Sequence, residues 1–163
     1  MGTKGTEIVG VDVKKLLESL NKALADEWLA YYQYWVGAKV VRGPMRGPVS
    51  GELMEHAGEE LKHADMLVAR ILQLGGTPVL KPEDWYRLTH CGYEAPENHA
   101  VKPVLEQNIK GERCAIGVYQ SLLESVQGKD PVTAKMVLEI LEEEIEHEDD
   151  LQSILEDLAM MGK

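Results

Sequence analysis

Cysteine is scarce in this chain, and basic charge is short of acidic charge. Two cysteines in 163 residues, Cys91 and Cys114, are too few and too widely separated to suggest a disulfide scaffold or a zinc ribbon. No apolar run approaches the ~20 residues of a membrane span, and the N-terminus lacks the apolar stretch of a secretory signal. A cytoplasmic protein with no membrane partner is therefore expected. Seventeen Lys and Arg face 28 Asp and Glu, a formal net charge of −11. That balance argues against a general nucleic-acid binder and suits a surface or cavity that collects cations. Lys4, Lys14 and Lys15 are too few to hold DNA against it. The length fits one domain, large enough to bury a core without staples.

Against these absences stands a repeated motif. Glu60-Leu-Lys-His63 and Glu144-Ile-Glu-His147 are two Glu-x-x-His tetrads. On a helix, residues three apart stand about 60° apart on one face, so both side chains of a tetrad can reach the same metal ion. The motif alone is weak: with 20 Glu and five His in the chain, about 0.6 matches are expected by chance.

The placement of four glutamates is what gives the motif weight. One apolar stripe runs Leu16, Leu20, Ala23, Glu27, Ala30 or Tyr31, Tyr34, and a second runs Leu53, Ala57, Glu60, Ala64, Leu67, Ile71, Leu74. A third runs Leu105, Ile109, Glu112, Ile116, Tyr119, Leu123, Val126. The fourth runs Val137, Ile140, Glu144, His147 or Glu148, Leu151, Ile154 or Leu155, Leu158. All four step at helical spacing, and each is interrupted by one carboxylate. Any one of these glutamates could be a solvated edge residue. Four at matching depth require compensating positive charge, because an unpaired buried carboxylate is costly. No Lys or Arg lies on the stripes. Two divalent cations balance four carboxylates, and a carboxylate-imidazole donor set suits iron or manganese. The acidic run Glu142 to Asp150 reads otherwise as a solvated helix face, Glu142, Glu143, Glu146 and Asp149 included.

Turn signals order these segments into an all-α chain, with helices over about 12–41, 51–74, 98–127 and 131–160. Asp12 caps the first, which ends at the Gly- and Pro-rich turn Arg42 to Ser50. Gly75-Gly76 with Pro78 closes the second. Asp130 caps the fourth, with Pro131 at its first position. The stretch Thr77 to Glu97 has no sustained period and is long for a connection in a compact domain. A crossover to the far end of a four-helix bundle accounts for it, with the third helix then parallel to the second. His56, seven residues before His63 and on nearly the same face, reads as an interface or surface histidine, with an outer metal ligand as the alternative, and His90 and His99 read as loop residues. Trp28 and Trp35 read as packing against a neighbouring helix or subunit.

These residues carry a resemblance. Asp26-Glu-Trp-Leu-Ala-Tyr-Tyr-Gln-Tyr34, Leu61-Lys-His63-Ala-Asp65 and Arg70-Ile-Leu72 resemble the helix motifs of bacterioferritins, and the chain as a whole is similar to ferritin-like four-helix proteins. The resemblance implies a di-iron site in which Glu27 and His63 hold one iron, Glu112 and His147 the other, and Glu60 and Glu144 bridge them. Tyr34 matches a tyrosine the family keeps near that site. Leu61 stands where bacterioferritins place a haem-binding methionine, so haem by that mode is not expected. The chain ends just past the fourth helix, which favours a shell of twelve subunits over twenty-four. Thr89-His-Cys-Gly-Tyr93 and Gly111-Glu-Arg-Cys-Ala115 resemble the cysteine segments of thioferritins, the Dps-like proteins, which implies roles for Cys91 and Cys114 beside the metals. On a helical wheel, though, Cys114 lies about 160° from Glu112 and need not face them.

The implied activity is that of a ferroxidase storing iron in a homo-oligomeric shell and protecting against oxidative stress. Two Fe(II) each give one electron to one hydrogen peroxide, or to oxygen, and ferric mineral collects within. A free-standing rubrerythrin-like di-iron peroxidase is an alternative, although the Cys-x-x-Cys pairs of a rubredoxin donor are missing. A Dps-like DNA-compacting protein is another, for which so acidic a chain offers little.

Overall fold

The computed structural model describes residues 3–161. A short helix α1 (Lys4–Glu7) precedes α2 (Val13–Val40), α3 (Arg46–Gln73), α4 (Pro82–Leu88), α5 (Val101–Val126) and α6 (Pro131–Met161), with no strand among the described residues. No described helix is long and apolar enough to cross a membrane. The four long helices form a ferritin-like bundle, α2 packed mainly on α3 and α5 on α6. Side-chain partners set the directions. Glu27 and Tyr34 of α2 meet Tyr119 and Glu112 of α5 in reverse order, so these two helices are antiparallel. His63 and Glu59 of α3 meet Glu143 and His147 of α6 in the same inverted manner. The short turn at 41–45 makes α2 and α3 antiparallel as well, so α3 and α5 run parallel, as the long crossover requires.

The helix ends follow the local chemistry. Asp12 caps α2 by accepting from Lys14 N and Lys15 N at 3.0 and 3.2 Å. Asp130 does the same for α6, accepting from Thr133 N at 3.1 Å. Gly75, at φ +80°, turns the chain out of α3 through the left-handed region that glycine enters without steric cost. The start of α3 differs from the sequence expectation: the helix begins at Arg46, not at 51. Pro48 falls within its first turn, where the missing N–H is no loss, and Met45 takes the left-handed turn at φ 62°.

The crossover also holds more structure than its lack of periodicity implied. Asn21 of α2 secures its start, donating to Thr77 O at 3.2 Å and accepting from Val79 N at 2.7 Å. Helix α4 follows and sets Trp85 flat on Trp28, ring centroids 5.4 Å apart and 6° from parallel. The expected packing of Trp28 is thus met by the crossover, while Trp35 stays partly exposed, stacked on Tyr32. Asp26, buried on α2, gathers the next turn, accepting from His90 N at 2.8 Å, Cys91 N at 3.0 Å and the Thr89 hydroxyl.

Two apolar clusters fill the bundle. One contains Leu16, Leu20, Leu67, Ile71, Val126 and Ile140, the other Ala38, Leu53, Val104, Leu105 and Leu151. Between them, at mid-height of all four long helices, lie the buried acids.

Candidate metal centre

Glu27, Glu60, Glu112 and Glu144 are each no more than 3 % exposed, and His63 and His147 no more than 2 %. All six converge. His63 Nδ1 lies 3.4 Å from Glu27 Oε2, Glu60 Oε2 and Glu144 Oε1. His147 Nδ1 lies 3.4 Å from Glu144 Oε2, 3.5 Å from Glu60 Oε1 and 3.9 Å from Glu112 Oε2. Two four-residue clusters result, Glu27, Glu60, His63, Glu144 and Glu60, Glu112, Glu144, His147, with Glu60 and Glu144 common to both.

These separations are long for a hydrogen bond, but they are what ligation produces. Donor atoms about 2.1 Å from a common ion at tetrahedral angles stand roughly 3.4 Å apart. Unpartnered atoms point the same way. Among the described residues, the buried side-chain oxygens and nitrogens with no hydrogen-bond partner are Glu27 Oε2, Glu60 Oε1, both oxygens of Glu144, Nδ1 of His63 and His147, and Nδ1 of His56. All but the last face this centre. Orphaned buried polar atoms are rare in folded proteins, so a group of them implies a missing partner of opposite charge. The donors, hard carboxylates and borderline imidazoles, fit divalent iron or manganese.

A second layer of side chains prepares these atoms. His63 Nε2 donates to Glu143 Oε2 at 2.9 Å, and His147 Nε2 to Glu59 Oε2 at 2.8 Å. With Nε2 donating outward, loss of the Nδ1 proton would leave each Nδ1 lone pair facing inward for a cation. Tyr34 donates to Glu112 Oε1 and Tyr119 to Glu27 Oε1, leaving the second oxygen of each glutamate turned toward the centre. Glu143 is therefore not simply a solvated face residue: besides His63 it accepts from Lys62 Nζ at 2.7 Å, because it precedes Glu144 on the edge where α6 meets α3.

Sequence reasoning missed Glu59, Glu143 and Tyr119 as parts of the site, although a signal existed. The tetrads are halves of a longer repeat, Glu59-Glu60-x-x-His63 and Glu143-Glu144-x-x-His147, and Glu27 and Glu112 each precede a tyrosine by seven residues, Tyr34 and Tyr119. His56 also differs from its expected surface position. It is 2 % exposed, its ring stacked 4.1 Å from that of His147, because seven residues before His63 is two turns along the same buried face.

Protonation is strongly perturbed here. Burial, then the charge of Glu60, raises Glu27 well above the carboxylate range. Burial, then Glu144 and Glu60, does the same to Glu112. Burial would lower His147, but Glu144 and Glu60 outweigh it and lift the imidazole to about 11. His63 is raised further by Glu144, Glu27 and Glu60 against the same burial. Burial, followed by the charge of His147, pushes His56 down to about 3. Without metal, protons neutralise the cluster, so metal must displace them.

Cys91 and Cys114, for which the resemblance implies roles beside the metals, are joined as a single disulfide with Cα atoms 5.7 Å apart. The crossover folds back over α5 to bring them together. The bridge borders a cavity of about 420 Å³ that reaches Glu27, Tyr34, Glu60, Glu112 and Glu144. Cys114 thus flanks the approach to the centre despite its angle from Glu112.

Comparison with known proteins agrees with this geometry. The family model of the ferritin-like domain matches residues 17–161. A DNA protection during starvation protein of Pyrococcus furiosus is 39 % identical over 144 residues, covering 87 % of this chain and 77 % of the relative. A bacterioferritin of Brucella melitensis is 31 % identical over 150 residues, 91 % of this chain and 88 % of the relative. The structure of a bacterioferritin-related protein from Bacteroides fragilis, described as a dodecameric thioferritin, superimposes with a TM-score of 0.97 at 47 % identity, covering 99 % of this chain and 97 % of that one.

Proposed function

Because this chain belongs to the ferritin-like family, we propose that it is a ferroxidase that oxidises Fe(II) with hydrogen peroxide or oxygen and stores the ferric product in a shell of about twelve copies, as the Bacteroides fragilis protein is described. The observation that carries this reading is the set of orphaned donor atoms at the bundle centre. Iron is the substrate and cargo here. Glu27 and His63 hold one Fe(II), Glu112 and His147 the other, and Glu60 and Glu144 are shared. Glu143 and Glu59 fix the histidine tautomers, and Tyr119 and Tyr34 hold the outer oxygens of Glu27 and Glu112. The cavity beside Cys91 and Cys114 is the approach for the oxidant, with the cysteine pair forming part of its wall.

The electron balance suits two irons. Each Fe(II) gives one electron, one peroxide takes both with two protons, and its O–O bond breaks to two waters, so no hydroxyl radical is released. The imidazole and carboxyl protons that Fe(II) displaces leave the centre near the reacting oxygens, where they are available to the product waters. The net charge of −11 favours collection of cations inside a shell. That iron rather than manganese is bound in the cell, and that the protein relieves peroxide stress in the cytoplasm, belong to the same proposal.

Anaerobic titration with Fe(II), followed by peroxide, tests it. Two irons per chain should oxidise in a fast phase, consuming one peroxide, and later iron should grow a mineral inside a particle of shell size. Fast oxidation by a particle of two to four chains that holds no mineral would support the rubrerythrin-like reading instead. The Pyrococcus furiosus relative is named for DNA protection; retardation of DNA by the purified shell at physiological salt would favour that role.

A further inference from the structure

The cavity beside the metal centre is far larger than hydrogen peroxide requires. Peroxide takes at most the room of two waters, roughly 60 Å³. The cavity encloses about 420 Å³, within the range of about 300–1,000 Å³ that holds an organic ligand. The excess room comes from small residues in its wall: Ala30 of α2, Gly92 of the crossover, and Gly111 and Ala115 of α5. A Cβ added at Gly111 would meet nothing nearer than Gln33 Nε2 at 3.9 Å, and one at Gly92 would meet nothing within 4 Å. Glycine inside a helix is less stable than alanine, and at Gly111, in the middle of α5, no neighbour excludes a side chain.

Polarity along the cavity is concentrated at one end. There, beside the metal ligands, Glu27 Oε2, Glu60 Oε1 and both oxygens of Glu144 lack hydrogen-bond partners. The other buried polar groups of the wall are already engaged. Asp26 accepts from Thr89, His90 and Cys91. Gln33 donates to Asn108 Oδ1 at 3.1 Å and accepts from Glu94 N at 2.9 Å, and Asn108 donates to Val104 O at 2.8 Å. At the exposed outer end Lys110 and Glu94 pair with each other at 2.8 Å. A polar ligand body would lose its water and find these partners taken. A ligand with a polar head at the metal end and an apolar body behind it matches the distribution.

We infer that the cavity admits organic hydroperoxides, ROOH with R about the size of one aromatic ring, as oxidants beside hydrogen peroxide. This rests on the proposed function and names a further oxidant class for the same site. The O–O head reaches the metal end, and R lies against Ala30, Gly111, Ala115, the ring of Tyr93 and the Cys91–Cys114 bridge. Two Fe(II) each give one electron, the O–O bond breaks, and two protons complete the products, one ROH and one water, leaving two Fe(III). The C–O bond is untouched. Because both electrons are delivered together, neither an alkoxyl nor a hydroxyl radical is released.

The test uses the full assembled protein, with cumene hydroperoxide as probe and hydrogen peroxide as reference. After anaerobic loading with two Fe(II) per chain, one cumene hydroperoxide should oxidise both in a fast phase and yield one 2-phenyl-2-propanol. Acetophenone in its place, the fragment of a released alkoxyl radical, would overturn the inference. Gly111→Leu puts a side chain into the cavity from a helix position that favours leucine, so its thermal transition should stay level or rise. It should lower kcat/KM for cumene hydroperoxide relative to hydrogen peroxide by about tenfold or more. A ratio equal to that of the wild type would place R outside the cavity and overturn the assignment. Without iron, 2-phenyl-2-propanol soaked into crystals of the metal-free protein should occupy the cavity, and Gly111→Leu should exclude it. Fast oxidation by hydrogen peroxide with none by cumene hydroperoxide would overturn the inference and leave the proposed function standing. No fast phase with either oxidant would overturn the proposed function, and the inference with it.

Discussion

Two groups of charged side chains are buried along α3 and α6, and they are constructed in opposite ways. Near one end, Arg70 donates through Nη2 to Asp130 at 2.7 Å, through Nε to the Thr133 hydroxyl at 2.7 Å, and through Nη1 to Gln73 at 3.2 Å. Asp130 also accepts from Thr133. Every charge in that group has a partner, and the group joins α3 to the cap of α6. At mid-bundle the four glutamates and two histidines face each other, with inner atoms of Glu27, Glu60, Glu144, His63 and His147 unpartnered. The first arrangement is complete within the chain and serves the fold. The second leaves donor atoms that the chain does not satisfy, the arrangement that the proposed iron chemistry needs.

The sharpest way to separate the two is to remove one member of each. Glu144→Ala, which deletes a shared carboxylate, should abolish the fast phase of Fe(II) oxidation, a loss of at least about a hundredfold. The metal-free thermal transition should fall only modestly, because Glu60 remains beside the protonated His63 and His147. A variant keeping the wild-type fast phase in stopped-flow absorbance would count heavily against the centre. Arg70→Ala should do the reverse. It leaves Asp130 buried and unpaired and should cost about 3–5 kcal/mol, read as a large fall in the unfolding temperature, with two irons per chain still oxidised.

A smaller contrast lies in pH. The folded His147 is raised from 6.5 to about 11, so its contribution to metal-free stability is fully present below 6.5 and is lost as pH climbs toward about 11. Glu27 and Glu112, also raised, act in the same sense from above 4.5 upward. Above pH 6.5, where the lowered His56 no longer acts in the opposite sense, calorimetry of the metal-free protein should therefore show its transition falling with rising pH, whereas metal-loaded protein should change less, because the ions occupy the protons' place. A transition independent of pH in metal-free protein would contradict the perturbed titration. Smallest of all, Tyr34→Phe removes one hydrogen bond to Glu112, about 1 kcal/mol or roughly fivefold in the oxidation rate. Tyr119→Phe should match it if the two halves are equivalent.

Much of this was visible before folding. The four stripes, each broken by one glutamate, identify the long helices and their inward faces, and the tetrads mark both histidines. The start of α3 was displaced because Gly47 and Pro48 read as turn residues, whereas a proline in the first turn is compatible with helix. Helix α4 was hidden because seven residues with Trp85 as their anchor carry no usable period. Glu143 reads as a surface acid and Glu59 gives no signal of its own, since hydrophobic periodicity registers what faces the core and not what reaches sideways to a neighbouring histidine. His56 was judged from its own helix, without the ring of His147 that covers it.

The amino-acid order alone determined the inward face of each long helix and the glutamate carried on it, since helical spacing is a local property of the backbone. Which of those acids would meet, that Cys91 would reach Cys114, and that His56 would stack on His147 were decided only when the crossover brought α5 and α6 against α2 and α3. Those contacts join residues far apart in the chain, and no periodicity within one helix encodes the angle or depth at which another will pack against it.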